Sequence, residues 1–145
     1  MKRNFFLTKM FFIYVLLHLP VNANTNNYFE EGKKLFNKKD YINSKILFER
    51  DLVFNPKSEN SYLYLAKIFD RQENIKEKEI NLDNVLLINP NNDEAIYMLI
   101  LLKIEQSDYS ESKDLFKKFT LVCNSFCNKK NEIEKLFKNI DPNEN

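Results

Sequence analysis

Asn55-Pro56 and Asn89-Pro90 stand 34 residues apart, and the same offset recurs along the chain. Tyr41, Ile75 and Tyr109 form one series, Phe48, Leu82 and Phe116 a second, and Asp40, Asn74 and Asp108 a third. A fixed period of this length marks a stacked array, in which each unit is one supersecondary element too poor in apolar surface to stand alone. The third series identifies that element. Asp and Asn side chains accept hydrogen bonds from the free N–H groups of a helix's first turn, so each marks the start of a helix at the same place in its unit.

Apolar spacing and these stops predict helix pairs near 26–37 and 41–54, 59–71 and 75–88, and 93–106 and 109–122. Ser58 and Asp93 are the expected N-caps of the second and third pairs. Pro56 and Pro90 disfavour helical geometry at the Asn before them and remove a donor, which ends the preceding helices. Short linkers force antiparallel neighbours. Ile133, Leu136, Phe137 and Ile140 make one apolar stripe on an otherwise polar helix over 128–140, suited to closing the open end of the stack. Residues 141–145 read as a polar tail.

The remaining composition narrows the chemistry. Of 145 residues, 43% are hydrophobic and 30% charged, enough for one modest domain with its own core. A single Gly, Gly32, leaves no residues for a phosphate cradle, a dinucleotide fingerprint or a series of tight hairpins. An all-α chain is what remains. The only His, His18, lies in the N-terminal apolar run, so no imidazole is left downstream for a triad or a zinc site. Catalysis by carboxylates alone would need a paired set in a cleft, and candidates such as Asp70 and Glu105 fall on helix ends where a solvated charge is the plain reading. The chain is therefore not expected to be an enzyme, nor to hold a cofactor or metal. A net charge of +1, or −2 once Lys2, Arg3 and Lys9 are removed, does not suggest nucleic acid, and no small-molecule substrate is indicated. Lys117-Lys118 and Lys129-Lys130 read as solvated helix faces.

Residues 1–23 have the form of an export signal. Lys2 and Arg3 precede the apolar run Met10–Leu19, Pro20 breaks it, and Val21-Asn22-Ala23 puts small residues where a signal peptidase cuts. Cleavage after Ala23 would leave Asn24 as the new N-terminus. In a bacterium with two membranes that address is the periplasm. The competing reading is an uncleaved anchor, the one route by which this chain would meet a membrane; the run is shorter than the ~20 apolar residues of a bilayer span.

The repeat resembles the tetratricopeptide repeat, a helix-turn-helix unit of 34 residues. In the first unit (25–58) the matching residues are Tyr28, Gly32, Leu35, Ser44, Phe48 and Pro56; in the second (59–92) they are Tyr62, Leu65, Ala66, Phe69, Leu82 and Pro90. The third (93–126) matches at Ile96, Leu99, Ser112 and Phe116. Glu31, Lys78, Lys103, Ile100 and Asn124 depart from the pattern. The resemblance implies a short right-handed α-solenoid of three such hairpins plus a C-terminal capping helix. It also implies an adaptor that binds another protein or peptide in a concave groove lined by the first helix of each pair. By position that groove takes Phe29, Lys33 and Phe36, then Leu63, Lys67 and Asp70, then Tyr97, Leu101 and Ile104. Its floor would be mostly apolar, suiting an amphipathic helix or an apolar segment. Some family members clamp a terminal carboxylate. Leu63, Glu94 and Met98 stand near where such a clamp needs polar or basic groups, so none is expected here.

Cys123 and Cys127 are the only cysteines. An oxidising compartment favours a disulfide between them, which would require a bend between Asn124 and Phe126, since Cβ directions within one regular helix fit the bond poorly. Two free thiols are the alternative. The spacing is not that of a redox C-x-x-C, and two sulfurs without His make a poor metal site.

Overall fold

A computed structural model describes residues 27–140, so the expected signal, its cleavage site at Ala23 and Asn24, and the tail 141–145 lie outside the described residues. Among the described residues seven α-helices follow one another: α1 (Tyr28–Asn37), α2 (Tyr41–Phe54), α3 (Glu59–Arg71), α4 (Ile75–Ile88), α5 (Asp93–Glu105), α6 (Tyr109–Val122) and, after a 3₁₀ turn at Cys127–Lys129, α7 (Lys130–Ile140). No strand occurs among the described residues. None of their helices is long and apolar enough to cross a membrane. The helices pair as α1/α2, α3/α4 and α5/α6, and the pairs stack in chain order. The fold is an all-α solenoid.

Each turn within a pair is built the same way without glycine. Lys39, Glu73 and Ser107, again 34 apart, take φ of 64°, 55° and 61°. Each lets the following N–H reach back to close the first helix: Asp40 N to Leu35 O at 3.0 Å, Asn74 N to Phe69 O at 3.0 Å, Asp108 N to Lys103 O at 2.8 Å. That same Asp or Asn then caps the second helix, accepting from Asn43 N, Glu77 N and Glu111 N. The expected second-helix starts are therefore met. The first-helix caps differ from expectation. Asn92, not Asp93, caps α5 through Ala95 N at 2.8 Å. Ser58 occupies the cap position of α3 but turns its hydroxyl to Ser61 Oγ at 3.0 Å.

Packing follows the repeat. Phe48, Leu65, Ile68 and Phe69 join the first two units, and Leu63, Ala66, Leu82, Val85, Ala95, Met98, Leu99 and Leu102 join the second and third. Gly32 is where helix approach demands a missing side chain, because a Cβ there would lie 2.9 Å from the buried Phe48 ring. Two departures from the repeat pattern are absorbed by ion pairs. Lys78, in a small-residue position, pairs with Asp70 at 2.6 Å; Lys103, in an aromatic position, reaches Glu79 at 2.6 Å and Glu111 at 2.8 Å. Hydrogen bonding to Glu111 and then Glu79 raises the Lys103 pKa.

The capping segment continues the register. Residue 93 opens α5 and residue 127, 34 further on, opens the cap. Ile133 is fully buried among Ile96, Ile100 and Phe119, and Phe137 lies 5.7 Å from Phe116. Structurally α7 takes the place of the first helix of a fourth unit.

Candidate partner-binding groove

Three linkers follow the three pairs, and in the second and third units the first residue of the first helix holds the linker that follows the pair. Glu59 accepts from the side chains of Asn89, at 2.9 Å, and Asn92. Asp93, 34 residues later, accepts from the backbone N–H groups of Asn124 at 2.7 Å and Phe126 at 2.8 Å. Burial alone would raise the Asp93 pKa, but the N–H groups of Phe126, Asn124, Ser125 and Glu94 together outweigh it and hold the carboxyl below its usual range. In this third linker α6 stops at Val122, the chain bends through 124–126 as expected, and Cys123 and Cys127 come together with Cα atoms 5.1 Å apart and sulfurs at bonding distance.

Along the first helices, contact between successive units uses a second offset, of 35. Tyr64 meets Phe29, Met98 joins Leu63 in one core cluster, and Glu132 accepts from the Tyr97 hydroxyl at 2.7 Å. What the next helix supplies decides how much of each residue remains at the surface. Phe29 and Phe36 are half-buried, their rings 5.8 Å and 5.0 Å from Tyr64, which stacks on Phe48 at 5.0 Å. Lys67 Nζ sits 5.0 Å above the Tyr64 ring and 2.7 Å from Glu94 on α5. Arg71 lies 5.0 Å over Tyr41 and 5.9 Å over Phe36. Lys33, between the two phenylalanines and one turn from each, is half-buried. The first two units thus present an aromatic floor edged by cations.

Elsewhere the expected groove residues go to other places. Leu63 is 6% exposed and belongs to the core, sealed by an apolar methionine where the resemblance implied display. Asp70 is exposed but turned aside to Lys78. Tyr97 is half-covered by the cap: Phe126 lies 5.8 Å away, Lys129 Nζ 5.3 Å over its ring, and Lys129 also pairs with Glu132 at 2.7 Å. Burial and the Glu132 carboxylate raise the Tyr97 pKa. Ile104 packs against the Ile133 cluster, and Leu101 stays half-exposed between them. Tyr64, Arg71 and Glu94 belong to the site although period 34 alone did not select them; the 35-residue offset from Phe29 would have found Tyr64.

Asp70 and Glu105 line one open pocket of about 310 Å³ with Phe69, Glu73, Asn74, Ile75 and Lys78, at the edge where the intra-pair turns lie. Asp70 pairs there with Lys78. Among the described residues no group of three or more His, Cys, Asp and Glu side chains is placed to hold a metal.

No family model and no curated protein matches this chain by sequence. By structure it is similar to tetratricopeptide-repeat domains. The first such domain of Spaghetti (RPAP3), bound to the HSP90 peptide SRMEEVD, superposes with a TM-score of 0.69 at 14% identity, over 78% of this chain and 90% of that one. The TPR2B domain of yeast Sti1 in complex with an Hsp70 peptide gives 0.66 at 18%, over 77% and 90%. The type III secretion translocator chaperone SycD of Yersinia enterocolitica gives 0.71 at 8%, over 89% and 91%. At these identities the likeness is one of fold, and it agrees with the repeat read from the sequence.

Proposed function

We propose that this chain is an exported, non-enzymatic adaptor that holds a segment of another protein along the flank formed by its first helices, within an assembly of the cell envelope. The observation that carries the reading is the half-exposed floor of Phe29, Phe36 and Tyr64 edged by Lys33, Lys67 and Arg71. Flat aromatic rings held by a buried neighbour, here Phe48, offer contact area with little side-chain entropy left to lose. Two of the similar domains were solved with bound peptides, which supports the same use of this flank. The address at 1–23 supports export to the periplasm with Asn24 as the mature N-terminus, and an oxidising compartment agrees with a disulfide between Cys123 and Cys127. N-terminal sequencing of the exported protein checks the first point: a start before Asn24 means an anchored form.

The groove itself is tested by a photo-crosslinking residue placed at Phe36 in cells, with Leu87 on the outer face as control. Leu87 is 81% exposed and lies on α4, a second helix that contributes no residue to the aromatic floor. The expected result is a discrete adduct from position 36 alone, lost on Phe29→Ala. Equal adducts from both positions would sink the assignment.

A further inference from the structure

Lys33, Lys67, Leu101 and Lys135 stand at one place in four successive first helices, α1, α3, α5 and α7, because the cap keeps the 34-residue register. From this juxtaposition, and resting on the groove proposed above, we infer that the partner is an acidic segment whose side-chain carboxylates run along a lysine row, with an apolar residue over Leu101. The charge balance of the flank carries the inference. Three of its acids are already used within the protein, Glu94 by Lys67, Glu132 by Lys129 and Tyr97, and Asp70 by Lys78, which leaves Glu105, at the place of Arg71, and Glu31 as exposed acids without an ion pair among the described residues. Glu30 occupies the place of Tyr64, Met98 and Glu132, residues that meet the preceding unit, so by position it belongs to the N-terminal side of α1 and not to the row of Lys33. Lys33 and Lys135 make no ion pair among the described residues, nor does Lys138, one turn beyond Lys135. Uncompensated positive charge therefore remains at both ends of the row, while Lys67 in its middle is held over Tyr64. Helices packed about 8–10 Å apart make the row roughly 25–30 Å long. An extended segment covers that with about eight or nine residues at ~3.3 Å each. Because the lysines lie along the groove and not at one end, recognition needs no free C-terminus.

The test uses the exported protein and two blocked peptides of about ten residues, acetylated and amidated, one alternating Glu with Leu and the other Lys with Leu, followed by fluorescence anisotropy. The expected result is at least tenfold tighter binding of the Glu peptide, weakening as salt rises, and loss of that preference in the double variant Lys33→Glu, Lys135→Glu. Lys57→Glu, in the linker after α2, leaves it intact, and circular dichroism checks that each variant folds. Equal binding of the two peptides, binding of neither, or a preference that survives the double charge reversal overturns the lysine row. Phe36→Ala separates the two readings: if it weakens binding while the charge reversals do nothing, the groove stands and its acidic preference falls.

Discussion

Replacing Asp93 by Ala should free the cap while leaving the other units folded. One carboxylate oxygen accepts both the Asn124 and Phe126 N–H groups, at 2.7 and 2.8 Å. Hydrogen bonds to a charged group contribute about 1.5–3 kcal/mol each. Asp93 is partly open to water, which recovers some of that on removal, so the low end applies and the loss is about 3 kcal/mol for the two. The loss is local, because what the linker positions is Phe126 against Tyr97 and Ile133 in its buried seat. Native-state hydrogen exchange reads it directly: amides of α7 should exchange roughly a hundredfold faster in Asp93→Ala while those of α3 keep their protection. Asp93→Asn, which keeps an acceptor without the charge, should fall between.

The same bonds set a pH dependence whose sign is fixed. The folded-state pKa of Asp93 lies below its ordinary value, so its stabilisation is complete above the unfolded pKa of about 3.9 and is lost as pH falls from there through the folded value. Protection of α7 should therefore decline in the wild type below about pH 4 and decline less in Asp93→Ala. If α7 protection is unchanged by the substitution, or α3 loses protection equally, Asp93 does not govern the cap.

Three further perturbations separate packing from display. Leu63→Ala should lower stability by about 2–5 kcal/mol in chemical denaturation, as a core leucine does; a loss near zero would return Leu63 to the groove surface. Gly32→Ala should lower the melting temperature despite the ~1 kcal/mol gain in helix propensity, because its Cβ would meet Phe48 at 2.9 Å and overpacking costs about 1–3 kcal/mol; a higher melting temperature would show that the ring yields freely. Thiol titration of the unfolded exported protein should find no free thiol. Dithiothreitol should then cost about 2 kcal/mol from so short a loop, seen in proteolysis of the cap, and a reduced cap cleaved no faster would remove the disulfide from its anchoring role.

The helices were legible because their punctuation is chemical and local. An Asp or Asn at the start of each second helix and, in the first two units, a Pro after it act within one turn of chain, and the structure returns those boundaries within a residue or two. The misplaced cap at Asp93 has the same cause, since two good capping residues are adjacent and only the geometry picks Asn92. Display in the groove is a different kind of property. Period 34 says that Phe29, Leu63 and Tyr97 are equivalent within their units, but their exposure depends on what the next unit brings 35 residues on: a tyrosine that leaves an aromatic floor, a methionine that seals a core, a glutamate that hydrogen-bonds an edge. The capping helix shows the cost of reading only an apolar stripe. Ile133 repeats Leu99, and with it Lys135 repeats Lys67, so the helix that closes the core also lengthens the flank where a partner would lie. A helix in register after the third pair thus has two faces answering to different neighbours, and only the buried one declares itself by hydrophobicity.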